Sequence, residues 1–416
     1  MRSPTLAIDF GTSNSAAAVW EDGHVRRLAI EAGADTLPTA VFFAPKGGDM
    51  RIGEAASAAL INGEEGRYMR ALKSVLGTSL FHEARPIGGR RQTLADVVAA
   101  FLAEVKARAE AITGRTYDRV LSGRPVQFHS ADPARDARAE GDLRACYLAA
   151  GFSDIAFMFE PEAAAIANHG LGRAGKVGLI VDIGGGTSDF TLFRAAGAEA
   201  EILASHGVRL GGTDFDQAIS VTHAMPLLGL GGQLRRTFGV GLQPVPKAIY
   251  GDLATWAKIP FLYTGETRRE VADMRRLAVD PDRIDRLATV LEDELGHQLA
   301  FAVEAGKIAA NSERSGVIAM GMIERGLQAP IDSASMTASL QRFRAELGEA
   351  AAEVMRRAKI APGEVATIVL VGGSSLMNIV RSEMQAQCPN AELAFSEAFT
   401  AVVDGLAIAA PRAFSH

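Results

Sequence analysis

Two short stretches of the sequence place a carboxylate, glycines and hydroxyls in the same order. They are Asp9-Phe10-Gly11-Thr12-Ser13-Asn14 and Asp182-Ile183-Gly184-Gly185-Gly186-Thr187-Ser188-Asp189. A glycine turn offers consecutive backbone N–H groups to an anion, and without a Cβ the anion can come close. Thr and Ser hydroxyls add donors. An Asp at a strand end supplies a hard oxygen for Mg²⁺, usually through water. One such turn reads equally well as an ordinary hairpin. Two, each headed by Asp, fit a pair of jaws closing on one polyphosphate. Val369-Leu370-Val371-Gly372-Gly373-Ser374-Ser375 adds a third glycine element, at the end of a strand where an anion or nucleoside can approach. Leu210-Gly211-Gly212-Thr213-Asp214-Phe215-Asp216 is a fourth. Taken singly, these last two also read as plain turns between elements.

The elements that must hold these turns are legible around them. Leu6 to Asp9 reads as a strand, with a second strand from Ala16 to Trp20; Leu179 to Asp182 is followed in the same way by Phe190 to Phe193. The two hairpins start 173 positions apart (182 minus 9), which suggests a duplicated α/β unit. Between them, Leu94, Val97, Val98, Phe101, Leu102 and Val105 recur at helical spacing over Thr93 to Ile112, behind a Thr93/Asp96 start signal. Asp132-Pro133 opens a helix reaching about Ala150, and Glu160-Pro161 opens another that ends by Gly170. Further strands are expected at Arg119 to Ser122, Ile155 to Phe159 and Thr367 to Val371. Such alternation indicates an α/β fold with mixed sheets. Ser220 to Asp282 reads as loops and short helices, and Arg283 to Ser315 as one long helix or two broken near Gly296.

Composition narrows the field. A chain of 416 residues exceeds one ordinary core. With 48% hydrophobic and 22% charged residues it is neither disordered nor fibrous. A net charge of -6 leaves no basic excess for nucleic acid. No apolar run approaches the ~18 residues of a membrane span, and the two cysteines, Cys146 and Cys388, lie far apart, so the chain is expected to be cytoplasmic with buried thiols. Gly170 to Gly175 fits GxGxxG but follows a helix and precedes a strand, the reverse of a dinucleotide site; it reads as a loop. No GxxxxGK[ST] exists, and the eight His show no metal-ligand spacing. Only eight Lys occur, so a Lys where phosphate chemistry wants one carries weight.

Together the motifs resemble the nucleotide-site segments of the actin/hexokinase/heat-shock-chaperone ATPase superfamily. They are most similar to the ATPase domain of the DnaK-type heat-shock family. Asp9 to Ser15 resembles its first phosphate loop and Asp182 to Asp189 its second; Phe159-Glu160-Pro161-Glu162-Ala163-Ala164-Ala165 resembles its connector, and Gly211 to Asp216 its Gly-Gly-Glu-Asp-Phe-Asp segment. Lys106 to Phe128 tracks the helix and strand ahead of Val-Pro-Ala-Tyr-Phe. Arg70 to Gly77 and Asp252 to Trp256 resemble one branch, the short YegD-like proteins. The resemblance implies an actin-like ATPase fold of two lobes, each a ribonuclease-H-like βββαβα core with an inserted subdomain. Lobe I would be 1–178 (insertion about 38–112), lobe II 179–395 (insertion about 220–314), and 396–416 a C-terminal helix returning to lobe I, with no peptide-binding domain.

Roles follow residue by residue from the resemblance. Lys73 would position the attacking water and the γ-phosphate; alone it would read as a solvated helix lysine. Glu160 would orient water and join the metal shell, although at a helix start it is equally a dipole partner. Asp9 and Asp182 would hold Mg²⁺ through waters, Thr187 would face the γ-phosphate, and Asp189 resembles a residue near a K⁺ site. Gly11, Thr12, Ser13, Asn14, Gly184, Gly185, Gly186, Gly211 and Gly212 would cradle ATP or ADP, with Gly372, Gly373 and Ser374 at the nucleoside. Glu304, Lys307 and Asn311, at i, i+3 and i+7 on one helical face, would grip the nucleoside, or form a solvated polar stripe. Three positions depart from the family. Leu376 stands where an Arg stacks on adenine, Ile308 where a second basic residue is usual, and Ser396 to Val402 replaces the closing Asn-Pro-Asp-Glu-Ala-Val, leaving Gly405. The expected activity is slow ATP hydrolysis serving an unidentified protein partner, with oligomeric state open. The alternatives are a nucleotide-binding switch without turnover, a small-molecule kinase and a filament protein.

Overall fold

Strand β1 (Thr5–Phe10) turns at Gly11 to Ser13 into β2 (Asn14–Glu21), which returns antiparallel with Ala7 opposite Ala18. The turn is tight enough to need Gly11, where a Cβ would lie 2.2 Å from the Asn14 carbonyl oxygen. β2 continues antiparallel into β3 (His24–Leu28). Helix α1 (Leu94–Thr113) begins at a Thr93/Asp96 capping box, so the start signal in the sequence is realised. Strand β4 (Arg119–Arg124) then pairs parallel with β1, helix α2 (Pro133–Ala149) is capped by Asp132, and β5 (Asp154–Phe159) pairs parallel with β4. The main strands run in the order β5-β4-β1-β2-β3.

The second half repeats this topology. Helix α3 (Glu160–Ala167) follows β5, and β6 (Val177–Ile183) pairs antiparallel with β7 (Ser188–Ala196), which pairs with β8 (Glu199–Val208). Helix α4 (Ser333–Ala358) precedes β9 (Val365–Val371), which lies parallel to β6; α5 (Asn378–Gln387) leads to β10 (Glu392–Phe395), and α6 (Ala401–Ala409) closes the chain. The order is β8-β7-β6-β9-β10, the same plan as the first sheet. Every residue of β6 is buried, as in a strand covered on both faces.

This computed structural model describes residues 4–45, 47, 49–129, 132–168, 175–196, 199–237, 239–395 and 400–414. Most of the Gly170 to Gly175 stretch and of the Ser396 to Val402 segment therefore lies outside the described residues. The chain forms two compact units, one of residues 1–212 with 344–416 and the other of 213–343.

In the first unit, α3 and α6 join one apolar core to both sheets: Ala7 and Leu121 from one, Ile180 and Val369 from the other, with Ala163, Ala164, Val403 and Leu406 between. Ahead of α1 stands a small sheet of Ala40–Phe43, Arg51–Ile52 and Arg67–Arg70, whose last strand runs into Lys73. Both thiols are buried, which pushes Cys146 up to about 12 and Cys388 up to about 11.

In the second unit the Arg283 to Ser315 stretch takes the second of its two expected forms, with helices Pro281–Glu292 and Gly296–Ser312 parted just before Gly296. Gly296 fits because a Cβ there would lie 2.6 Å from Ile259. The Ser220 to Asp282 stretch holds short turns and helices, but also a full helix at Gly265–Leu277, capped by Thr264. Its buried face is only Val271 and Met274 among charged residues, an amphipathic helix of low apolar content.

The α3–α6 crossing leaves no room for a side chain: a Cβ on Gly405 would fall 1.7 Å from the Ala163 carbonyl oxygen. Gly405→Ala should therefore push the helices apart and destabilise the protein by about 3 kcal/mol or more, against roughly 1–3 for ordinary overpacking. Urea unfolding checks this, and a midpoint equal to that of the unsubstituted protein would refute the crossing.

Candidate functional site

The central strands β1 and β6 carry Asp9 and Asp182 as their last residues but one, and a neighbouring strand and a helix start bring in the remaining acids. Asp189 lies directly opposite Asp182 in the β6–β7 register. Glu160 opens α3 immediately after β5, beside Gly123, whose missing Cβ would sit 3.1 Å from the Glu160 side chain. Into this group reaches Lys73, whose Nζ donates to Glu160 Oε1 at 2.5 Å. Lys73 is only 6% exposed and Glu160 8%. The solvated-lysine reading therefore fails, and Lys73 forms a buried ion pair.

Charge is unbalanced here, since four carboxylates act on one ammonium. Burial, and then the Glu160 charge, push the Asp9 carboxyl up to about 7. Burial, then Glu160 and Asp9, push Asp182 up to about 8. Asp189 is raised well above the carboxylate range by burial, then by Glu160 and Asp182. Burial works against the Lys73 charge, but Glu160 and Asp9 outweigh it and hold the ammonium above its ordinary value.

The turn carrying Lys73, Leu72–Val75, is held in place from several sides. Ala71 begins it in the left-handed region at φ 60°, a conformation that costs a non-glycine residue about 1–2 kcal/mol. Ser74 Oγ donates to the Ala71 carbonyl at 2.7 Å, and Arg209 donates to the Ser74 carbonyl at 3.0 Å. His129 Nε2 lies 2.7 Å from the Leu76 carbonyl oxygen, as a donor to it. Asp142 on α2 accepts from the Gly77 N–H at 2.8 Å. Anchoring of this kind is what keeps a strained turn in one conformation.

The glycine turns pack against one another. A Cβ on Gly185 would lie 2.5 Å from Ser13 Oγ, so the two Asp-headed turns face each other, as the paired-jaw reading expects. Gly184 N–H donates to the Thr187 carbonyl at 3.0 Å, and Gly212 N–H to the Gly184 carbonyl at 2.9 Å. A Cβ on Gly211 would meet Gly186 N at 2.5 Å, and one on Gly372, at φ 81°, would meet the Ile183 carbonyl oxygen at 2.4 Å. Gly373 and Ser374 follow in a single turn, Gly373–Leu376, with Ser374 Oγ 2.3 Å from where a Gly212 Cβ would stand. A pocket opens at this convergence, lined by Thr12, Lys73, Ser74, Phe128, His129, Gly186, Thr187 and Arg209. Gly11 and Asn14 flank Thr12 and Ser13 in the first turn.

Among the described residues, no three His, Cys, Asp or Glu side chains converge closely enough to hold a metal directly. The residues nevertheless fit Mg²⁺ held through its waters. Asp9, Glu160, Asp182 and Asp189 are hard oxygen donors whose excess negative charge a hydrated dication would offset.

In the second unit, Lys307 is buried with its Nζ 2.6 Å from Asp216 Oδ1, while Trp256 Nε1 donates to Asp216 Oδ2 at 3.2 Å. Burial raises Asp216; Lys307 opposes this and Glu304 adds to it. Glu304 and Asn311 are half-buried on the same helix. Lys307 is thus neither a solvated stripe nor an unengaged cation. Leu376 is 39% exposed, and so, at 58%, is Ile308.

Sequence reasoning missed Arg209, His129 and Asp142, which steady or line the Lys73 pocket. Of these only Arg209 left a trace, two residues ahead of Gly211-Gly212.

Two sheets of one ribonuclease-H-like strand order, with acids and glycine turns at the ends of their central strands, define an actin-like ATPase fold. Residues 5–86 and 82–226 match the family model described as Hsp70 protein, and the chain belongs to the Hsp70 family. It is 33% identical over 223 residues to a Chaperone protein DnaK of Endomicrobium trichonymphae, covering 51% of this chain and 34% of that relative. To a Chaperone protein DnaK of Thermosipho melanesiensis it is 31% identical over 260 residues, 61% of this chain and 40% of the relative. The chain thus spans between a third and two-fifths of the length of these relatives.

Two outcomes test the charge assignments. Asp9 and Asp182 titrate near 7 and 8 in the folded chain against 3.8 ordinarily, so the folded chain binds the extra protons. The stability this contributes is fully present below about pH 4 and lost as pH rises through 7 and 8. The metal-free protein should melt progressively lower between about pH 4 and pH 8, with Asp182→Asn flattening the slope and Mg²⁺ reducing it. Thermal melts that run parallel for the two proteins would overturn the assignment. In the second unit, Asp216→Ala strands a buried ammonium and should cost about 3–5 kcal/mol in urea unfolding. A loss below 1 kcal/mol would show the pair to be dispensable.

Proposed function

We propose that the protein binds Mg²⁺·ATP or ADP at the Lys73 pocket and hydrolyses ATP slowly by direct attack of water. The observation that carries this reading is the buried Lys73–Glu160 pair beneath Thr12, Gly186 and Thr187, inside a ring of surplus carboxylates. The backbone N–H groups of Gly11 to Asn14 and Gly184 to Thr187 would take the phosphates, with Gly211, Gly212 and Gly372 to Ser374 leaving room for close approach. Lys73, a compact point charge fixed by Glu160, would face the terminal phosphoryl oxygens and orient the water. Water oxygen bonds to the γ-phosphorus as the bond to the β–γ bridging oxygen breaks, and its proton leaves towards the carboxylate side of the site. Bound Mg²⁺ supplies neutralisation of phosphate charge, and Asp9, Glu160 and Asp182 would hold its waters, with Asp189 set back towards a K⁺ position.

The two sheet halves would act as lobes about residues 1–178 and 179–395, with Glu304, Lys307 and Asn311 serving the nucleoside. The chaperone role of the relatives supports a protein partner for this chain, and a cytoplasmic setting suits its two buried, unpaired thiols. A second reading, a nucleotide-binding switch without turnover, is favoured by Leu376 and Ile308, exposed where the resemblance expects cations for the base.

Release of orthophosphate from ATP by the purified protein, with calorimetric binding of ATP and ADP, tests the proposal. Lys73→Ala should lower turnover about a hundredfold or more while changing ADP affinity only a few-fold. Unchanged turnover would remove Lys73 from the chemistry, ATP binding without turnover would favour the switch, and sugar-dependent ATP consumption or ATP-dependent pelleting would favour a kinase or a filament.

A further inference from the structure

Lys73 sits in a single turn of four residues, Leu72–Val75. So short a turn cannot hold its own shape, and its two ends decide where the ammonium points. Both ends pass through left-handed residues, Ala71 at φ 60° before the turn and Gly77 at φ 73° after it. Ala71 is the strained end, because a side chain disfavours that conformation. Gly77 is the relaxed end, and there helix α2 takes hold of the chain.

The hold is made in two ways. Backbone packs on backbone: a Cβ on Gly77 would fall 2.5 Å from the Arg135 carbonyl oxygen and 3.1 Å from the Ala139 side chain. In addition, the buried Gly77 N–H donates to Asp142 Oδ2 at 2.8 Å. The other carboxylate oxygen lies 3.0 Å from His82 Nε2. A carboxylate only accepts, so Nε2 is the donor, and Asp142 is aimed by a ring further along the segment it clamps. The Asp142 side chain is only 12% exposed, which keeps water from competing for these bonds. The turn's own bonding is weakest on this side. Ser74 N–H donates to the Ala71 carbonyl at 3.0 Å, whereas Leu76 N–H reaches the Lys73 carbonyl only at 3.4 Å. His129 and Thr78 bond to the Leu76 and Val75 carbonyl oxygens, while Asp142 secures an N–H.

We propose that Asp142 is a positioning residue for Lys73: through Gly77 it fixes the far end of the turn and with it the place of the ammonium. The inference rests on ATP hydrolysis at the Lys73 pocket. Without the carboxylate, the buried Gly77 N–H loses its acceptor, and the turn must shift to satisfy it. Strain at Ala71 favours that shift, since the left-handed residue relaxes along with it. Lys73 and Glu160 stay paired through the change, because neither buried charge tolerates isolation. Nucleotide binding is therefore spared, and the alignment of water against the terminal phosphate is what suffers.

The experiment compares Asp142→Ala and Asp142→Asn with the unsubstituted full chain, in phosphate release and in calorimetric binding of Mg²⁺·ATP and Mg²⁺·ADP. Asn keeps an amide oxygen for the Gly77 N–H, whereas Ala keeps no acceptor. Asp142→Ala should lower turnover about tenfold with both affinities changed less than about threefold, and Asp142→Asn should stay within about threefold of the unsubstituted rate. Deuterium exchange reads the turn without nucleotide. The Ser74 and Leu76 amides should exchange about tenfold faster in Asp142→Ala and near the unsubstituted rate in Asp142→Asn. A thermal melt establishes that each variant is folded at the assay temperature, and the Asn variant carries the test alone should Ala fail to fold. Unchanged turnover in Asp142→Ala, a tenfold loss in Asp142→Asn, or unchanged exchange at Ser74 and Leu76 would each overturn the proposal. A chain that releases no phosphate overturns the ATPase reading itself, and exchange then decides alone whether Asp142 holds the turn.

Discussion

Burying one ammonium among four carboxylates is the constraint from which the rest of the first unit follows. Neither partner of the Lys73–Glu160 pair has much access to water, so each depends on the other being held where it is. Removing either would leave a charge that the interior tolerates poorly. The acids around the pair come from separate strands and one helix start: Asp9 from β1, Asp182 from β6, Asp189 from β7 and Glu160 from α3. Only a fold that brings the ends of two like sheets together assembles such a group. The same surplus charge makes the metal-free site a poor resting place for four ionised acids. In the proposed complex a hydrated cation would relieve the acids while glycine amides and Lys73 would take the phosphate.

Close backbone packing is the second requirement, and it explains why glycine stands where it does. Gly211 and Gly372 hold two chain segments against the Asp182 turn at distances no side chain permits, and Gly405 lets α6 cross α3 in the core shared by both sheets. Thus the glycines that look like phosphate-loop residues in the sequence divide into two kinds. Gly11 permits a tight turn and Gly185 the approach of the opposite turn, while Gly211 and Gly372 fix how the turns stack.

The hairpins, the capping of α1 and α2 and the helix start at Glu160 were legible because each rests on local chemistry: alternating burial, a Thr or Asp cap, a proline in the first turn. Lys73 was legible only through motif resemblance. By itself it is a lysine in a short turn, and nothing within ten residues of it announces Glu160, which lies 87 positions on. His129 and Asp142 were illegible for the same reason and Arg209 nearly so, since their partners Ser74, Leu76 and Gly77 lie in or just after a turn far away in sequence. The helix Gly265–Leu277 was missed on different grounds. With two buried residues in thirteen and charges all around them, it carries little apolar content, although Val271 and Met274 share one face behind the Thr264 cap.

Two buried lysine pairs show how charge balance separates roles that look alike. Lys307 meets Asp216, which also accepts from Trp256, with Glu304 as the one further acid acting on it. Those contacts engage both oxygens of Asp216, so this pair is closely balanced in the protein alone. Lys73 meets Glu160 through one oxygen and lies in the field of three more acids, beside an open pocket. Its pair is therefore incomplete in the protein alone: more negative charge is gathered than one ammonium answers. A structural ion pair has no reason to collect that excess, because each added buried acid costs stability. The proposed binding of a dication beneath a phosphate would give such a reason, and the excess is the physical mark by which the two lysines differ.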